Sequence, residues 1–174
     1  MNPESINTTI EVLAADIELQ LAETERVLEA KMEAGAPITF NDVMDPWTRW
    51  WHDLQLFKSS ADHLSHLNLM DSNLRGAAAH CMGRATALQV KIAQSDVLYS
   101  AIESALAHEK YAELDDSVTE GREYEEVRAL RLIRKQNRSQ GAGLEPEKKQ
   151  RYVELVGQQM ELMSLFMGNI GHAY

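Results

Sequence analysis

The chain has a single cysteine, Cys81. It therefore has no internal disulfide framework and no zinc site built on cysteine thiolates, a usage that suits a reducing compartment. Prolines number four and glycines nine in 174 residues, and only 6% of residues are aromatic. A sheet protein of this size needs more turn residues and more alternating β-branched runs. No apolar stretch reaches the roughly 18 residues that a membrane-spanning helix requires. Basic residues are also scarce, 17 against 27 acidic ones, for a net charge of −10. That sign excludes a general nucleic-acid binder and a binder of anionic membranes. Residues 1–13 carry no basic flank ahead of an apolar core, so no secretory signal is expected. Their acidity speaks against a mitochondrial presequence, and a cytoplasmic location is expected.

What remains is helix-forming. Apolar residues make up 44% of the chain, and Leu, Ala, Glu, Met, Gln and Arg are plentiful. The length suits one domain with a real core. The expectation is an all-α single domain over residues 1–174, a bundle of about six helices joined by short connections.

The first helix is expected over 9–34, opened by a Thr8/Glu11 capping box. Its apolar stripe is Ile10, Leu13, Ile17, Leu21, Val27 or Leu28, and Met32, and Gly35 and Pro37 stop it. The second starts after Thr39, with Pro46 near its beginning. Its seam is the cleanest in the chain: Val43, Trp47, Trp50, Leu54, Phe57, Ala61 and Leu64. A third, over 73–93 with Ser72 as N-cap, buries Ala77, Cys81, Ala85, Leu88 and Ile92. Ser95 or Asp96 caps a fourth, carrying Leu98, Ile102 and Leu106 and ending near Tyr111. After Asp115 and Asp116, Ser117 and Glu120 repeat the capping-box spacing. A fifth helix follows with Tyr124, Val127, Leu130 and Ile133, ended by residues 139–143. Pro146 opens a sixth, carrying Tyr152, Leu155, Gln159, Leu162 and Phe166. Gly157, Gly168 and Gly171 weaken it, by roughly 1 kcal/mol each against alanine, so its last turns call for outside packing.

Chemistry is thin. His63 and His66 share a helix face at metal-chelating spacing, with Asp62 and Asp71 near, but a third ligand is needed. The simpler reading is two ordinary surface histidines. His108-Glu109 is half of a zinc-protease motif, and the second histidine's position holds Ala112. Cys81 adjoins His80, yet neighbours along a helix do not face each other, so a buried structural thiol is expected. Arg128, Arg131, Arg134 or Lys135, and Arg138 make a basic stripe. It suits an acidic partner or RNA backbone, or more simply a solvated face near a helix C-terminus. Trp47 and Trp50 fit the second helix's seam and Trp51 falls at its edge, as a protein contact or a core-edge cap. No catalytic, cofactor-binding or metal residue is assigned.

An ordered series of short stretches carries one further reading. It begins with Pro37-Ile38-Thr39-Phe40-Asn41-Asp42-Val43 ahead of Pro46 and Trp47. His63-Leu64-Ser65-His66-Leu67-Asn68 follows, with Asn73-Leu74-Arg75, and then Leu98-Tyr99. Gly141-Ala142-Gly143-Leu144 leads into Lys148-Lys149-Gln150-Arg151-Tyr152, and the series closes with Leu162, Leu165-Phe166 and Asn169-Ile170. In order and spacing, from about Ile6 to Gly171, the chain resembles the N-terminal helical region of the thimet oligopeptidase/oligopeptidase A family of zinc metallopeptidases.

Members of that family are several times longer, and their zinc site lies far downstream of the matching region. The resemblance implies a scaffold forming one wall of a channel in which short peptides are cut, as a fragment, a truncated product or a stand-alone relative. No zinc or other cofactor is expected in this chain, and hydrolysis would need a catalytic zinc domain in cis or in trans. Short peptides would be met through that domain, with no nucleic-acid or membrane partner. The alternative is a non-enzymatic interaction subunit that kept the family fold and docks into a larger assembly.

Overall fold

The computed structural model describes residues 3–67, 72–108, 111 and 120–172; within these, the side chains of 3–6, 61–67, 72–75, 157, 160, 161 and 163–172 are not described. The described residues form helices and connections, with no strand. The helices are α1 (Pro3–Glu33), α2 (Phe40–Leu67), α3 (Ser72–Ala93), α4 (Asp96–Leu106), α5 (Arg122–Ser139) and α6 (Pro146–His172). The all-α expectation holds.

Helix α1 starts at Pro3, six residues before the expected start. Proline at a first helical position loses no hydrogen bond, and nothing from 4 to 8 stops the helix growing back to it. Thr8 is thus interior, no capping box forms there, and Glu11 is used elsewhere. The buried stripe runs Ile10, Ala14, Ile17, Leu21, Leu28. These steps of four and three form a heptad row. Leu13 lies off the row and is 48% exposed, a correction in favour of Ala14. Between Val27 and Leu28 the same row selects Leu28.

The turn into α2 is a reciprocal cap. Thr39 N and Oγ1 donate to Asp42 Oδ2 at 2.9 and 2.8 Å, and Asp42 N donates back to Thr39 Oγ1 at 3.4 Å. Lys31 Nζ, from the last turn of α1, reaches Asp42 Oδ1 at 2.6 Å. Burial pushes the Asp42 carboxyl up, but the Lys31 and Thr39 bonds outweigh it and hold the group below its usual range. A carboxylate depressed in the folded state stabilises above its unfolded pKa, and that contribution fades as pH falls through the folded value. The stability gap between the native chain and Asp42→Asn is therefore expected to be full above about pH 5 and to close below about pH 4. Urea titrations across pH 2.5–7 (about 0.5-unit steps) check this. Helix α2 starts at Phe40, directly after Thr39 as expected, and continues through Pro46, its seventh residue.

Val43, Trp50, Leu54 and Phe57 are buried on α2, with Trp47 packed against them. They meet Ala77, Cys81, Ala85, Leu88 and Ile92 of α3, the most extensive helix pairing among the described residues. Small residues every four positions let the two backbones approach. The Cys81 thiol donates to Phe57 O across the seam at 3.5 Å, and burial pushes its pKa up. Along the α1–α3 seam, Glu11 takes His80 Nε2 at 2.8 Å and Arg84 Nε at 3.1 Å. Two turns further on, Glu18 meets Lys91 at 3.6 Å. These exposed pairs orient α1 more than they stabilise it. Ser95, not Asp96, caps α4: its Oγ accepts from Leu98 N and donates to Glu25 of α1. Helix α4 ends at Leu106, a turn short of the expected end, and buries Leu98, Ala101, Ile102 and Ala105. The Ser117/Glu120 cap has its serine outside the described residues, and α5 opens instead on Gly121 with no side-chain cap.

Candidate functional site

Three places gather polar or aromatic side chains. The first is the corner where α4, α5 and α6 meet. Helix α5 closes through Gln140 N and Ala142 N, which both donate to Asn137 O at 3.0 Å. The chain then turns through Gly141 at φ +95° and Gly143 at φ +70°. A Cβ on Gly143 would stand 2.8 Å from Tyr99 Cε1, and one on Gly141 3.1 Å from Tyr152 Cδ1. Lys149 Nζ donates to Gln94 O at 2.8 Å and Asp96 Oδ2 at 2.6 Å, tying α6 to the start of α4. Tyr152 donates its hydroxyl to Ser139 O at 3.0 Å. Burial, with Glu103 beside it, pushes the Tyr99 phenol up. These groups build the turn and aim α6. Under the corner the Asn137 side chain is fully buried, with neither polar atom bonded. An amide left so costs about 1–3 kcal/mol.

The second place is a cleft of about 270 Å³ lined by Thr39, Phe40, Asn41, His108, Tyr111, Arg122 and Glu126. Glu126 is buried, and accepts from Tyr111 Oη at 2.6 Å and Arg122 Nε at 3.0 Å. The His108 and Tyr111 rings are 6.2 Å apart. A carboxylate held by a phenol and a guanidinium is a satisfied clamp. The i, i+4 spacing of Arg122 and Glu126 is visible in the sequence; the arrival of Tyr111 is not.

The third is an aromatic slot. Trp47, Trp50, Trp51 and Leu54 of α2, Gln89, Ile92 and Ala93 of α3, and Gln136 of α5 line it. Trp50 is buried, and Trp51, 40% exposed, stands at the slot's rim.

The other candidates are not brought together. The side chains of His63 and His66 lie outside the described residues, as does Glu109 beside His108. Among the described residues no group of three potential metal ligands occurs, and no helix is long and apolar enough to cross a membrane. In the basic stripe, Arg134 pairs with Glu103 of α4 at 3.3 Å, and Lys135 points outward. Of the expected face of α6, Tyr152 is half-buried, Leu155 and Leu162 are 48% and 67% exposed, and the side chain of Phe166 lies outside the described residues. Comparison with protein-family models, with curated proteins and with solved structures finds no match to this chain.

Proposed function

We propose that this chain is the N-terminal helical domain of an oligopeptidase-like zinc metallopeptidase. It acts as scaffold and channel wall for short-peptide hydrolysis, and a catalytic zinc domain in cis or in trans supplies the chemistry. One observation carries the reading. Among the described residues, several that bear the family resemblance set the bundle's corners. Thr39 and Asp42 cap α2; Tyr99, Gly141, Gly143, Lys149 and Tyr152 fix the exit of α6. Residues up to about fifty positions apart thus converge on one mechanical task, which suits a motif series inherited as a unit. The exposed apolar side chains of α6 suit a helix that finishes its packing against another domain.

The isolated chain, incubated with zinc and quenched-fluorescence peptides, is expected to show no hydrolysis; turnover abolished by a chelator would overturn the reading. Sequencing the gene past codon 174 is the direct test. A frame continuing into His-Glu-x-x-His supports a domain in cis, and failure to bind any family catalytic domain stripped of its own helices counts against one in trans. The second reading, a non-enzymatic interaction subunit, is favoured by Trp51 standing exposed at the slot.

A further inference from the structure

Helix α5 packs on α4 and only lightly on α3, which leaves a seam between it and α2. Trp50, Leu54, Ile92 and Ala93 floor this seam, and Trp47, Trp51 and Gln136 wall it. One turn before Gln136, on the same edge of α5, Leu132 stands 59% exposed. The free space is about 10 Å³, room for one water. Small-molecule sites occupy some 300–1,000 Å³, so the seam is no metabolite pocket. What it offers a partner is a shallow apolar surface, with Trp51 and Leu132 exposed to either side.

The charge beside it has a sign opposite to the rest of the protein. From Arg128 to Arg138 there are five cations and no acid, in a chain of net charge −10. Arg128, Leu132 and Lys135, spaced by four and three, share one exposed face of α5. Arg128 lies 3.9 Å from Glu125 with both side chains open to solvent, a pairing of little worth.

We infer that the α2–α5 seam is a docking surface for an acidic amphipathic helix of a partner protein. The partner's apolar ridge lies between Trp51 and Leu132, and its flanking carboxylates meet Arg128 and Lys135. Aromatic anchors beside cations are what such interfaces concentrate. A nucleic acid fits less well, because a long polyanion is repelled by the net −10, whereas a short helix with a few carboxylates meets only the local cations. This inference stands without the oligopeptidase reading.

A designed 18-residue peptide tests it: leucines at helical i, i+3, i+4 spacing, glutamates on both flanks, and an N-terminal fluorescein read by anisotropy. Saturable binding is expected, weakened about tenfold by Arg128→Glu with Lys135→Glu and about fivefold by Trp51→Ala. All three residues are solvent-exposed, and circular dichroism verifies that the variants stay folded. Four results would each overturn the inference: no saturation below about 1 mM; a lysine-flanked peptide binding as well; affinity indifferent to the charge reversal; or an oligouridylate displacing the peptide. So would sedimentation showing the seam already filled by a second copy, released by Trp51→Ala.

Discussion

Trp50→Ala is expected to cost about 3–5 kcal/mol, and Trp51→Ala about 1–2. The two indoles are adjacent in sequence and opposite in circumstance. Trp50 is 2% exposed, set in the central cluster beside Leu54 and Ile92, while Trp51 is 40% exposed. A buried indole hides roughly 150–250 Å², about 4–6 kcal/mol at 25 cal/mol per Å², and only part of the void left by alanine collapses. Domains of this kind hold about 5–15 kcal/mol in all, so Trp50→Ala should sit near its unfolding transition in dilute buffer. Trp50→Phe, which keeps a ring in place, should fall between. Urea unfolding followed by circular dichroism measures all three without depending on the indole signal. Equal losses at 50 and 51 would mean that the α2 seam is not the one described.

Gly143→Ala should be the next most damaging change, by about 2–5 kcal/mol. Two terms add: roughly 1–2 for an L side chain in the left-handed region, and about 1–3 for overpacking against a ring atom 2.8 Å away. Gly35 separates the two. Its φ of +63° is close to Gly143's +70°, but nothing lies within 4 Å of its would-be Cβ. Gly35→Ala should therefore show the backbone term alone. In a Tyr99→Ala background, Gly143→Ala should fall to the Gly35 value, and the difference is the coupling between glycine and ring. If Gly143→Ala costs no more than Gly35→Ala in the native background, Tyr99 does not pack on that turn.

The sequence made the helices and their strongest seams legible because burial there follows period. Every expected core residue of α3 is buried, as are Val43, Trp50, Leu54 and Phe57 of α2. Leu13 shows where size misleads: the heptad row places Ala14 inward, and the bulkier neighbour stays out. Thr8 shows that a capping pattern does not start a helix when nothing upstream ends one. Glu126 and Asn137 were not legible, since a polar residue on an inward face is read as exposed until its surroundings are known. The α6 stripe was legible as a stripe, but periodicity does not say which surface meets Leu155 and Leu162. Of the candidate surfaces, the tryptophans and the basic stripe could be picked out separately. Their adjacency comes from α5 packing on α4, which brings Gln136 beside the α2 tryptophans, a long-range relation that local spacing does not encode.

The lone sulfhydryl at position 81 has a practical consequence. It is shut between α2 and α3 and shares its proton with the Phe57 carbonyl. An alkylating reagent reaches it only when those two helices part, and burial keeps it from the reactive thiolate form until they do. Its rate of modification is a stopwatch on the breathing of the protein's central joint, and needs no engineered label.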